Sequence, residues 1–234
     1  VSEYEANTAV ASREFDGEVT MVAGGKKATD VVDVMTALRD RVDNFLLGGV
    51  VGELFLRAVG YDVGRDIGEE DIYESQWRAN CDRIRDLIQN HPSDLVFPSD
   101  LAYADESDER AETTVADLRN KDHDYRDIGG DTASQFAEIA GSSAAVFVKG
   151  ALGVFEDERF SNGTVDVLDA IGRSSGFSVV GGGHTSRAIG MYGIDEPAFP
   201  HVSTAGGAYI TPLPGTPLPG VALPPPAPPV PTGP

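Results

Sequence analysis

The chain has 234 residues, 41% of them hydrophobic, with 38 acidic against 18 basic residues and a formal net charge of -20. That apolar mass supports a sizeable core in one large domain and argues against disorder throughout. So acidic a surface repels nucleic acid and anionic lipid, which sets those partners aside. Only four basic residues are lysines, Lys26, Lys27, Lys121 and Lys149. An acidic, lysine-poor coat keeps a protein hydrated in concentrated salt, and its self-repulsion is unscreened in dilute buffer.

In chain order, Val19–Ala23 reads as a strand closed by Gly24 and Gly25. A helix follows from about Thr29, with Val31, Val34, Met35, Leu38 and Val42 on one face. Phe45–Leu47 is a second strand, followed by Gly48, Gly49 and a short helix through Leu56. A longer helix runs from about Glu69 to Asn90, with Trp77, Cys81, Ile84 and Ile88 on one side. Cys81 is the single cysteine, so no internal disulfide exists, a reducing, cytoplasmic compartment is expected, and core packing is its expected role. Leu95–Phe97 is a third strand. The charged stretch from Tyr103 to Arg126 reads as loop or edge hairpin.

From Asp127 the alternation resumes. Thr132–Ile139 is helical, Ala144–Val148 is a strand leading into Gly150 and Gly153, and Val165, Leu168 and Ile171 mark a helix. Phe177–Val180 is a strand closed by Gly181, Gly182 and Gly183 with a helix behind it, and His201–Ser203 is a last short strand before Ala205, Gly206 and Gly207. Alternating strands and helices predict an α/β fold with a mostly parallel central sheet flanked by helices, Rossmann-like in class. Eleven of the 24 residues from Thr211 are proline, which predicts a polyproline-like, mobile tail. The N-terminus has neither a basic region nor an apolar run, so it is not a signal peptide, and starting at Val1 fits a piece of a longer protein.

Four strands end in glycine turns, GGKK, GGVV, GALG and GGGH, with a helix expected just behind each, and a fifth ends in AGG. In a parallel sheet these turns share the carboxyl edge, where such folds bind ligands. Glycine permits close approach of backbone N–H groups, and helix N-termini favour anions, so the edge suits a polyphosphate. A single glycine pair could equally be a tight turn; five along one edge point to a ligand. No Walker A loop is present, GGGHTS ends in serine where a dinucleotide fingerprint needs glycine, and four histidines with one cysteine make no zinc constellation. Lys27 opposes the dipole of the helix it opens, and its placement asks for an anion nearby.

These segments resemble, in order, motifs of the C-terminal domain of phosphoglycerate kinases: AGGKKATD, LLGGVVGELF, FPSDLAY, RDIGGDT, VKGALGVFED, VVGGGHTS and HVSTAGGA. The likeness runs from about Glu18 to Val221 and is nearest to the archaeal branch, with a halophile-like composition. It implies a 1–17 remnant of an interdomain segment, an 18–210 nucleotide-binding domain and a 211–234 tail. It further implies Mg2+ with ADP or ATP as ligand. By position, Lys27 would stabilise the phosphoryl group in flight, joined by Gly183 and Gly207. Gly182, Gly183, His184 and Thr185 would surround the phosphates and metal. Gly206 would donate to the transferring group and Glu156 would hold the ribose. Gly25, Gly48, Gly49 and Gly153 would line the nucleotide pocket.

This sequence departs from the family's pattern at several positions. Lys149 stands where asparagine is usual, Ala151 replaces a proline and Ala205 replaces a glycine. Val31 stands where many relatives have a second lysine, and His184 replaces a magnesium-binding aspartate. The N-terminal domain, with the arginines that bind 3-phosphoglycerate, is expected to be missing, leaving this chain nearly inactive alone. A non-catalytic nucleotide-binding module is the other reading.

Overall fold

The computed structural model describes residues 14–61, 63, 72–118, 123–181, 183–194 and 201–203, with the backbone alone at 72, 184 and 201–203. Strands β1 (Val19–Ala23), β2 (Asn44–Leu47), β3 (Leu95–Val96), β7 (Ala145–Lys149), β8 (Phe177–Gly181) and β9 (His201–Ser203) form one six-stranded sheet in the order β3-β2-β1-β7-β8-β9. Every pair in it is parallel, so all their carboxyl ends share one edge. The central strands VTMVA and AVFVK are buried along their whole length, as strands covered by helices on both faces must be.

Period-two alternation sorts the strand side chains between two cores. Met21, Phe45, Leu47, Phe147 and Val179 face helices α1 (Ala28–Leu38), α2 (Gly49–Ala58) and α3 (Ile72–Asn90). Val22, Leu46, Val146, Val148 and Val180 face α4 (Gly130–Ser142), α5 (Asn162–Arg173) and α6 (Gly183–Met191). Val31, Val34, Met35 and Leu38 of α1 are buried at the predicted spacing, with Val32 buried beside them, while Val42, expected on the same face, is buried beyond the end of the helix. Each is worth roughly 1.5–3 kcal/mol relative to exposure, which outweighs the modest helix propensity of its valines.

Helix α3 presents Tyr73, Asn80, Ile84 and Leu87 to the core, with Trp77 and Ile88 partly buried. Cys81 lies one position off that face and is half-buried, with its Sγ beside Arg78 O and Asp82, so it is not a core residue as the spacing suggested. Asn80 takes the inner place and ties α3 to α1 by donating to Thr29 Oγ1 at 3.0 Å.

The charged stretch after Tyr103 forms the hairpin that was one of its two expected readings. β4 (Asp100–Ala104) is the middle of a three-stranded antiparallel sheet, between β5 (Arg110–Thr114) and β6 (Tyr125–Ile128). The β5 side chains are exposed or half-buried, so the segment carries no apolar alternation to read. Its turn is closed by polar bonds instead: Asp105 accepts from the amides of Ser107 and Glu109. Asp100 holds this sheet to the main body by accepting from the amides of Asp131 (3.1 Å) and Thr132 (2.9 Å) at the start of α4. The acidic residue of FPSD and the threonine of GGDT are thus a helix cap. After β7 no helix follows at once: a loop from Gly150 to Ser161, with one 3-10 turn at Glu158–Phe160, precedes α5. No helix among the described residues is long and apolar enough to cross a membrane.

Candidate functional site: a glycine-edged cavity at the ends of the parallel strands

A cavity of about 360 Å³ opens at the carboxyl edge of the main sheet. That is within the usual size of a small-molecule site. Its lining divides by element. The ends of β1, β7 and β8 and the helices behind them bring Gly24, Gly25, Lys26, Lys27, Asp30, Lys149, Gly181, Gly183 and Thr185. Helix α2, the small sheet and the loop after β7 bring Val50, Leu101, Tyr125, Leu152, Val154 and Phe155, with the charged Glu53, Arg126, Asp127 and Glu156.

The glycine turns serve each other before they serve a ligand. The amide of Gly24 donates to Lys149 O at 2.9 Å, that of Gly25 to Ala151 O at 2.7 Å and that of Gly49 to Leu152 O at 3.0 Å. A Cβ on Gly24 would overlap Ala151 O, and one on Gly150 would overlap Gly24 O. Gly49, with φ of 55°, brings α2 so close that a Cβ would lie 2.8 Å from Gly25 N. These three N–H groups are therefore committed to backbone oxygens. They are not available to a ligand, because the turns must first pack against one another.

The far wall is pinned by Asp127. Its carboxylate accepts from Gly163 N (3.0 Å), Ile128 N (3.0 Å) and Arg110 Nη1 (3.1 Å). Burial pushes its pKa up to about 6 against the opposing pull of the Gly163 amide and the Arg110 guanidinium. Thr164 Oγ1 accepts from the amides of Leu152 (3.1 Å) and Gly153 (3.3 Å), which holds the loop that carries Val154, Phe155 and Glu156.

Of the sequence-predicted site residues, Gly25, Lys27, Gly49, Gly153, Glu156, Gly183 and Thr185 line this one cavity. Lys27 is the exposed N-cap residue of α1, and Glu156 is exposed at the cavity. Gly48 does not line it; it lies behind Leu152, whose side chain a Cβ there would strike. His184 is in the first turn of α6, and its side chain is outside the described residues, as are Gly182, Gly206, Gly207 and the proline-rich tail. Thr185 is fully buried, and its hydroxyl has no hydrogen-bond partner among the described residues.

Sequence reasoning assigned no role to Lys149, Asp30 or Glu53, all of which line the cavity. Lys149 closes β7, between Ala23 of β1 and Gly181 of β8, and is only 6% exposed. Burial lowers its pKa; Asp30 works against that shift and Lys27 adds to it. The signal was present in the letters, as a lysine ending an apolar strand in a chain that uses only four.

No group of three or more His, Cys, Asp or Glu among the described residues could hold a metal ion. A magnesium ion carried by a nucleotide needs no such cage, because phosphate oxygens and water supply most of its ligands.

A sequence profile described as Phosphoglycerate kinase matches residues 2–216. The chain is 56% identical over 214 residues to a phosphoglycerate kinase of Haloarcula marismortui, and 57% identical over 214 residues to one of Halorubrum lacusprofundi. In each case 92% of this chain and 53% of the relative are covered. These sources agree with the halophile-like composition. A crystal structure of phosphoglycerate kinase from Pyrococcus horikoshii OT3 superposes with a TM-score of 0.77 at 32% identity, covering 89% of this chain and 51% of that one. The chain thus spans about half the length of the curated relatives it matches, and it belongs to the phosphoglycerate kinase family.

Proposed function

We propose that this chain is the nucleotide-binding, C-terminal half of a cytoplasmic phosphoglycerate kinase, and that the cavity takes ADP or ATP with Mg2+. The carrying observation is the division of the lining, with lysines and a buried Thr185 hydroxyl unpartnered among the described residues on one set of elements, and on the other an apolar surface bordered by Glu53, Arg126, Asp127 and Glu156. The first set suits phosphates, the second a purine and its ribose.

In this reading Val50, Leu101, Tyr125, Val154 and Phe155 bury the base, and the exposed Glu156 carboxylate accepts from ribose hydroxyls. The start of α6, with Gly183, His184 and Thr185, receives phosphate oxygens at the positive end of the helix. Lys27 offers its ammonium to the phosphoryl group as charge moves during transfer. By resemblance, Gly182, Gly206 and Gly207 complete that end. Magnesium, when bound, would neutralise part of the phosphate charge.

The whole-enzyme reaction would move a phosphoryl group from 1,3-bisphosphoglycerate to ADP, giving 3-phosphoglycerate and ATP in glycolysis. The acid substrate would be held by an N-terminal domain outside this chain. Phosphoryl transfer is chiefly positioning and electrostatics, which is what this cavity can supply. Calorimetry in molar potassium chloride with ADP, ATP and adenosine, with and without Mg2+, tests the site. Saturable ADP binding at a stoichiometry of one is expected, and its absence in folded protein overturns the reading.

A further inference from the structure

We propose that Arg110 is a positioning residue for the nucleotide's ribose: from the hairpin of the small sheet it fixes the loop that carries Glu156. The assignment rests on the nucleotide reading above and adds to it a side chain from outside the cavity lining. Arg110 opens β5, and its side chain, 16% exposed, crosses to the loop between Gly150 and Ser161. Nη1 donates to Arg159 O (2.8 Å), in the 3-10 turn of that loop, and to the Asp127 carboxylate (3.1 Å). Nη2 donates to Ile128 O (3.1 Å) and, with Nε, to Glu112 Oε1 (2.7 and 3.0 Å). The guanidinium carbon lies 5.9 Å from the centre of the fully buried Phe160 ring. One side chain thus joins β5, β6 and the loop, which needs the planar fork of an arginine and not merely a positive charge.

Glu156 stands between two anchors of this loop. On one side the amide of Val154 donates to Arg126 O at 2.7 Å; on the other, Arg110 holds the turn at Glu158–Phe160. The hairpin adds a second tie to the same turn, because Arg159 donates to Asp108 O and pairs with Asp108 (3.2 Å) and Asp157 (2.7 Å). Glu156 is exposed, so the backbone of the loop, rather than core packing, sets where its carboxylate stands. Releasing the turn from Arg110 leaves Val154 on its own anchor and frees the segment that bears Glu156. The base side of the cavity should therefore keep its shape while the ribose side loses it. An arginine that served the fold alone would change stability and leave the preference for ribose hydroxyls as it was.

The test uses the 234-residue chain in molar potassium chloride with Arg110→Lys, Arg110→Gln, Glu156→Gln and the double variant Arg110→Lys with Glu156→Gln. Calorimetry compares ADP with 2′,3′-dideoxy-ADP, which offers Glu156 no ribose hydroxyl, and thermal unfolding is followed without ligand. The parent should bind ADP ~10-fold more tightly than the dideoxy ligand, the effect of a charge-assisted bond. Arg110→Lys should shrink that ratio to about threefold or less, with dideoxy-ADP affinity within about twofold of the parent. Adding Glu156→Gln to it should weaken ADP binding by no more than about twofold, because residues that act through one another are not additive. A parent-like ratio in the Arg110 variants, at whatever melting temperature, overturns the Arg110 assignment and leaves the nucleotide reading standing. Fully additive losses in the double variant, equal losses for both ligands, or failure of both Arg110 variants to fold also overturn it. A folded parent that binds ADP without preferring it to the dideoxy ligand overturns the ribose role of Glu156 and the Arg110 assignment together. A folded parent that binds neither ligand overturns the nucleotide reading itself.

Discussion

Asp127 illustrates how a residue can be indispensable to a site's shape and still cost stability through its charge. Its carboxylate holds Arg110 and two backbone amides, yet burial raises its pKa to about 6. An unfolded aspartate ionises near pH 4, so between about pH 4 and 6 the native protein keeps a proton that the unfolded chain has lost. The native state then binds more protons, and the stability contributed by this group falls as pH rises through that window, levelling off above it. The unfolding free energy of the parent, measured against Asp127→Asn, should therefore decline by about 3 kcal/mol in all, most of it between pH 4 and 6, and level off above about pH 7. Denaturant titrations in high salt decide it, and a difference that rises across the same window refutes the assignment. Lys27 presents the opposite case, an exposed cation at a helix start where the dipole disfavours it. In an enzyme completed by its other half, Lys27→Ala should lower kcat by ~10²–10³ with little change in nucleotide affinity, because its charge matters most during transfer. Steady-state kinetics beside equilibrium binding would separate the two effects.

At the scale of elements, the turn after β1 and the turn after β7 are one interlocked unit. A Cβ on Gly150 would overlap Gly24 O and one on Gly24 would overlap Ala151 O, while a Cβ on Gly183 at the start of α6 meets nothing within 4 Å among the described residues. Gly150→Ala, which must also hold φ of 89°, should lose stability by ~1–3 kcal/mol or more through overpacking and backbone strain. Gly183→Ala should unfold at nearly the parent temperature but bind ATP more weakly, since its methyl group enters the space assigned to phosphates. Thermal melts paired with calorimetry would show the crossover, and equal stability losses in the two variants would contradict it. The same logic explains Asp100, whose capping of α4 couples the small antiparallel sheet to the main body.

For the whole molecule, net charge and the half-length match to its relatives dominate. With 38 acidic residues against 18 basic, the folded chain should gain native signal as potassium chloride is raised, because screening relieves self-repulsion. Circular dichroism across a salt series checks this, and full native signal in dilute buffer would contradict it. The chain covers about half of its relatives' length, and residues of this chain line the cavity. Nucleotide binding should therefore persist in the isolated chain, while phosphoryl transfer falls below ordinary detection. Aligning two reactants can supply roughly 7–11 kcal/mol of a barrier, and this chain would hold only one of them. A coupled assay on the purified chain, with and without a separately expressed N-terminal half, reads that loss.

What the sequence by itself determined is the order of strands and helices and the strand ends that carry the site. Buried parallel strands must be continuous apolar runs, and tight strand-to-helix turns must be glycine, so AVFV and GGKK are legible one segment at a time. The edge hairpin was only half legible, because β5 buries no alternating face that a pattern could reveal. Which strands are neighbours was decided by tertiary structure: β1 lies beside β7, more than a hundred residues away, and that pairing alone sets Gly24 against Gly150. The same pairing turns the amides of Gly24 and Gly25 toward the carbonyl oxygens of Lys149 and Ala151. It also places Lys149 on the cavity. Spacing along a chain encodes local periodicity, but a hydrogen bond or a buried charge depends on what long-range packing sets opposite it, and only the folded molecule supplies that.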